Sequence, residues 1–113
     1  MITILHNPRC SKSRAGVTLL EEKGVEFEIL KYLDDPLTPD ELESVIDKLG
    51  ISAHDLIRKN EEVYKTEFAD KELSEEEWIL AMLEYPQLIE RPIVVNGNKA
   101  VIGRPTELIE SIL

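Results

Sequence analysis

At 113 residues with 42% hydrophobic content, the chain is sized for one domain built around one core. No apolar run in it approaches the ~20 residues needed to span a bilayer. A formal net charge of −10 argues against nucleic acid or an anionic membrane as a partner for the surface as a whole. The single cysteine leaves no room for an internal disulfide framework. Together with an opening apolar run too short for a secretory signal, it sets a reducing cytoplasm as the expected compartment. The charge is unevenly spread. Residues 34 to 90 hold 17 of the 23 acids and 5 of the 13 basic residues, so an acidic middle joins mildly basic ends. The acidic middle is expected to be a solvated helical face.

Ile2-Thr3-Ile4-Leu5 reads as a first strand, and residues 12 to 23 as a helix with Val17 and Leu20 on one face and Gly24 just past its end. Glu26 to Leu30 alternates polar and apolar, a second strand. Strand, helix and strand in thirty residues favour parallel pairing through a right-handed crossover. Asp34-Asp35-Pro36-Leu37 breaks the pattern. Thr38-Pro39-Asp40-Glu41 then opens a helix, with Thr as cap, Pro at the first helical position and Glu placed to close a capping box. Leu42, Val45, Ile46 and Leu49 follow at i, i+3, i+4 and i+7. Ser52 is expected to cap a short helix through Leu56 and Ile57 to Arg58, and His54 is expected on a solvated helix face. Ser74 and Glu77 form a second capping box, opening a helix that Pro86 would end.

The chain then returns to strand. Ile93-Val94-Val95 and Ala100-Val101-Ile102 flank Asn96-Gly97-Asn98, a tight-hairpin signal. Pro105 and Glu107 open a last helix, with Leu108, Ile109 and Ile112 expected to face inward. Without its middle this is the thioredoxin-like α/β arrangement, a mixed four-stranded sheet flanked by helices. The expectation is one domain over residues 1–113, with a helical insert at about 34–90.

Cys10 is the chemical centre of the pattern. It sits at a strand-to-helix junction, where unpaired backbone N–H groups favour an anion. Arg9, Lys12 and Arg14 surround it, and the first fourteen residues contain no Asp or Glu. A lone thiol is most often a buried small hydrophobe. Three neighbouring cations argue instead for a thiolate of lowered pKa. Three arginines are candidate partners: Arg58 in Asp55-Leu56-Ile57-Arg58-Lys59-Asn60, Arg91 before Pro92, and Arg104 in Gly103-Arg104-Pro105. Surface pairing with the abundant acids is the ordinary fate of any one of them. Arg91 and Arg104, however, stand at the same end of an antiparallel hairpin, and guanidiniums beside a thiolate suit oxyanion chemistry.

Other thiol chemistries fit less well. A dithiol motif needs a second cysteine at position 13, where Ser13 stands, and a Cys-x5-Arg phosphatase loop needs Arg at position 16, where Gly16 stands. One Cys and two distant histidines do not make a metal site. His6 is close enough in sequence to pair with or orient Cys10. Asn7 is equally suited to a hydrogen bond within the loop and to a plain turn role.

Four motifs carry a resemblance that runs almost end to end. His6-Asn7-Pro8-x-Cys10-x-x-Ser13-Arg14, Leu56-Ile57-Arg58-Lys59-Asn60, Arg91-Pro92-Ile93-Val94-Val95 and Gly103-Arg104-Pro105 resemble the glutaredoxin-linked arsenate reductases. The resemblance implies a thioredoxin-like fold with a cis proline at Pro92. It implies Cys10 as nucleophile, His6 as the histidine that tunes it, and Arg58, Arg91 and Arg104 as the oxyanion-binding set. It further implies arsenate as substrate, glutathione as co-substrate, glutaredoxin as partner, and no tightly bound cofactor. Two alternatives stay open: a monothiol oxidoreductase acting on glutathionylated partners, and a regulator of the Spx type that binds RNA polymerase. Ser13 and the three arginines weigh against the regulator.

Overall fold

The computed structural model describes residues 2–113, which divide into two compact units: residues 2–35 with Arg91–Leu113, and Pro36–Glu90. The first unit is built on β1 (Ile2–Leu5), β2 (Phe27–Leu30), β3 (Ile93–Asn96) and β4 (Lys99–Ile102), in the sheet order β2-β1-β3-β4. β1 runs parallel to β2, and β3 is antiparallel to both β1 and β4. This is the thioredoxin-like arrangement. Crossing between the parallel strands is α1 (Ser11–Glu22), and a 3-10 helix, Thr106–Ile112, closes the unit.

Ile2, Ile4, Leu20, Val94 and Ile109 form the buried core, with Val17, Phe27, Val101 and Ile112 packed against it. The last helix departs from the sequence reading: only Ile109 is fully buried, and Leu108 is exposed. A 3-10 turn stacks residues three apart, so a pattern spaced for an α-helix cannot all face inward. The hairpin turns on Gly97 and Asn98, with Asn96 paired to Lys99 and Gly97 at φ 62°.

Two glycines bring the backbones of this unit close together. A Cβ on Gly16 would lie 3.1 Å from both Ile4 Cδ1 and Pro92 Cγ, and one on Gly103 would lie 3.0 Å from both Pro92 Cγ and Ile109 Cδ1. Pro92, itself cis after Arg91, is therefore wedged between the two glycine backbones. The Arg104–Pro105 bond is also cis. Gly103→Val is expected to destabilise the protein by about 1–3 kcal/mol through overpacking, lowering the thermal midpoint by several degrees. An unchanged melting curve would contradict that account.

The second unit contains α2 (Pro39–Leu49) and α3 (Glu75–Glu84), which pack together. Both capping boxes are formed: the Thr38 and Ser74 hydroxyls accept from the N–H groups of Glu41 and Glu77, whose carboxylates accept in return. Leu42, Val45, Ile46, Leu56, Ile79, Met82 and Leu88 are buried. The segment after Ser52 differs from the expected capped helix. It is a 3-10 turn, His54–Leu56, followed by an antiparallel bridge between Ile57 and Ile89. His54 is not a solvated helix residue: its ring stacks on Trp78 with centroids 4.6 Å apart, and Nε2 lies 3.1 Å from the Tyr64 hydroxyl. Tyr64–Phe68 is a π-helical turn that brings Phe68 onto the same indole.

Candidate active site

β1 ends at Leu5, and the next five residues fold into one tight loop before α1. The Cys10 N–H donates to the Asn7 carbonyl at 3.0 Å, and the Arg9 N–H donates to Asn7 Oδ1 at 3.0 Å. Both roles left open for Asn7 are thus filled together: its backbone and its side chain make the turn. Cys10 is the residue before the helix, at φ −95° and ψ 122°, and its carbonyl accepts the first helical bond, from the Arg14 N–H. The first turns of α2 and α3 carry carboxylates, whereas that of α1 carries none. The positive end of α1 is therefore left for the sulfur.

Three groups acting together favour the Cys10 thiolate. Burial pushes the thiol up, but the Ser13 N–H, the Arg91 side chain and the Lys12 N–H hydrogen-bond the sulfur, Arg91 adds its charge, and the net direction is down. The backbone N–H groups act as the strand-to-helix junction led one to expect, but the contributing cation is Arg91, from the far end of the unit, and not Arg9, Lys12 or Arg14. Arg14 turns its guanidinium to the Pro8 carbonyl at 2.8 Å. Arg104 reaches the site as well: Nε donates to the Arg91 carbonyl at 2.7 Å, and Nη2 lies 3.6 Å from Cys10 Sγ. The sulfur is half-buried, so it remains open to a reagent. Alkylation by iodoacetamide followed against pH is expected to titrate below the ordinary thiol value of ~8.5. A midpoint at or above that value would rule out an activated thiolate.

Arg58 belongs to the second unit, where its guanidinium bonds Glu61 at 2.6 Å and lies 3.7 Å from Glu90. Its backbone N–H donates to the Leu88 carbonyl, which fixes the chain beside the Ile57–Ile89 bridge.

His6 makes its hydrogen bond to Ser13, with Nδ1 2.6 Å from Oγ, rather than to Cys10. Burial, then the charges of Lys31 and Arg14, hold the imidazole below its usual pKa, so it is neutral at pH 7. Ser13 was read from sequence only as the place where a second cysteine is missing. Its hydroxyl, fully buried, also accepts from the Asn7 N–H at 3.0 Å and so ties helix, loop and imidazole together. Nothing in the sequence beyond the spacing of the His6-to-Arg14 motif could have shown this.

Comparison with known proteins agrees with this geometry. The family model described as the ArsC family matches residues 5–112. A protein named arsenate reductase from Neisseria meningitidis is 46% identical over 99% of this chain and 97% of its own length. A protein of Escherichia coli named uncharacterized protein YfgD is 48% identical over 99% of this chain and 96% of its own. Among solved structures, the arsenate reductase from Vibrio cholerae superposes with a TM-score of 0.94 at 41% identity, covering 99% of this chain and 97% of that one. With the sheet order, the junction cysteine and its two arginines in place, the chain is a member of the ArsC family.

Proposed function

We propose that the protein reduces arsenate to arsenite, with Cys10 as nucleophile and glutathione as co-substrate. The observation that carries this is a single half-buried thiol, lowered in pKa and flanked by the Arg91 and Arg104 side chains. Family membership and relatives named arsenate reductase supply the substrate. The sequence motif Leu56 to Asn60 adds Arg58 as the third guanidinium of the oxyanion set.

Thiolate Cys10 attacks arsenic(V), an S–As bond forms, and one oxygen leaves as water. The guanidiniums offset the charge of an oxyanion approached by an anionic sulfur. Glutathione then supplies the second thiol. Two electrons pass to arsenic from the two sulfurs, arsenite departs, and Cys10 is left in a mixed disulfide with glutathione. The overall balance is arsenate plus two thiols giving arsenite, one disulfide and water. A glutaredoxin attacking the glutathionyl sulfur returns Cys10 to the thiol. The test is arsenate-dependent NADPH consumption in the presence of glutathione, glutaredoxin and glutathione reductase. Consumption is expected to stop when glutaredoxin is replaced by thioredoxin. Sustained reduction with thioredoxin as the sole thiol source would overturn the glutathione route, and no arsenate dependence at all would overturn the reductase reading.

A further inference from the structure

Because β1 and β2 are parallel, their carboxyl ends deliver His6–Arg9 and Lys31–Asp34 to the same edge of the first unit. A cavity of about 340 Å³ opens there. Ligands of α/β sheets characteristically bind outside the carboxyl ends of parallel strands. His6 and Asn7, two of the lining residues, are 7% and 9% exposed. Arg9, Lys31 and Asp34 bring exposed charges to the lining, and Leu33 brings an exposed apolar side chain.

Ser13 decides what His6 shows this cavity. The Ser13 oxygen accepts from the Asn7 N–H, and its own proton is buried and must be donated. Among the described residues the acceptor within reach is His6 Nδ1, at 2.6 Å. With Nδ1 accepting, the neutral ring carries its proton on Nε2. Asn7 is fixed by the same logic. Its Oδ1 is taken by the Arg9 N–H, so its NH₂ group is what remains to donate. Each of these two buried lining residues therefore has a donor left to offer, and the same lining holds the cations of Arg9 and Lys31 and the carboxylate of Asp34. That composition selects a carboxylate with an ammonium close by. A bare oxyanion suits it poorly, because Asp34 would repel it and Cys10 does not line the cavity.

We propose that this cavity anchors the thiol co-substrate by its γ-glutamyl head, with the α-carboxylate on His6 Nε2–H and the Asn7 amide, Lys31 as counter-charge, and the α-ammonium on Asp34. This rests on the reading of the protein as a glutathione-dependent reductase. An anchor set apart from the sulfur is what a flexible peptide thiol needs, since its cysteine end stays free to reach Cys10 one residue beyond Arg9. Ser13 is the positioning residue, acting through the tautomer of His6.

The test uses S-methylglutathione, whose thioether cannot react, with the wild-type protein and nitrogen-15 NMR of the imidazoles. The free protein is expected to show Nδ1 of His6 as the unprotonated nitrogen and Nε2 as the protonated one, and the probe is expected to shift Nε2–H. S-methylcysteinylglycine, which lacks the γ-glutamyl head, is expected to bind at least about tenfold more weakly, and Lys31→Ala to weaken S-methylglutathione about fivefold. Ser13→Ala is expected to move the proton toward Nδ1. Protonated Nδ1 in the wild type, equal binding of the two probes, or binding that leaves His6 unshifted would each overturn the proposal. Because the probe reduces nothing, the expected binding in a protein inactive on arsenate would retain the subsite and remove the reductase reading alone.

Discussion

Cys10→Ser is expected to abolish arsenate reduction, by roughly 10³-fold or more, because a hydroxyl at this position has neither the acidity nor the nucleophilicity of the thiol. The N–H groups of Ser13 and Lys12 and the Arg91 guanidinium stabilise a thiolate, and they cannot bring a serine hydroxyl within reach of ionisation at neutral pH. The same substitution reports on the chemistry. Reducing arsenate takes two electrons, and the chain has one cysteine, so an internal disulfide cannot be the product. Intact mass after turnover without glutaredoxin is expected to show one added glutathionyl group on the wild type and none on Cys10→Ser. A wild-type protein that turns over and stays unmodified would contradict the mixed-disulfide step.

Arg91→Lys is expected to lower kcat/KM about 10²-fold and to raise the alkylation midpoint of Cys10 toward the ordinary thiol value. Lysine keeps the charge but loses the planar fork, so the hydrogen bond to the sulfur fails even where part of the electrostatic attraction survives. The substitution is informative because the Arg91 carbonyl still accepts from Arg104 Nε and keeps that second guanidinium placed. Arg91→Ala should fall further, since it removes charge and fork together. Lysine at wild-type activity would mean that charge alone suffices and that the fork geometry contributes nothing.

What could be read from the sequence was whatever neighbouring residues decide among themselves. The capping boxes at Thr38 and Ser74 each close within four residues, and both are present. The hairpin at Gly97 and the cysteine at the head of α1 are equally local. The sequence pointed to a lowered Cys10 pKa and to the N–H groups at the head of α1 as one cause. The cation that adds to them was not among the sequence neighbours, because Arg91 reaches the sulfur only once β3 has paired with β1. Ser13 behaves the same way: its hydroxyl meets His6 because helix and strand end fold onto one loop. His54 looked solvated since its partners Tyr64 and Trp78 lie ten residues or more along the chain, one of them in a π-helical turn that no periodicity announces. Leu108 was misplaced for a different reason, the change from an α to a 3-10 repeat.

The stacking of His54 on Trp78 also gives the molecule an internal pair of reporters. Trp78 is the only indole in the chain and lies in the second unit, while Cys10 is the only thiol and lies in the first. Indole emission therefore follows the loosening of the acidic insert. The alkylation midpoint of Cys10, which rises when Arg91 and the N–H groups of Ser13 and Lys12 leave the sulfur, follows the loosening of the first unit, with no substitution needed. Whether the 113 residues melt as one cooperative body can be read by recording both signals on a single sample. Coincident transitions would mark two-state unfolding, and a separation between them would give each unit a stability of its own.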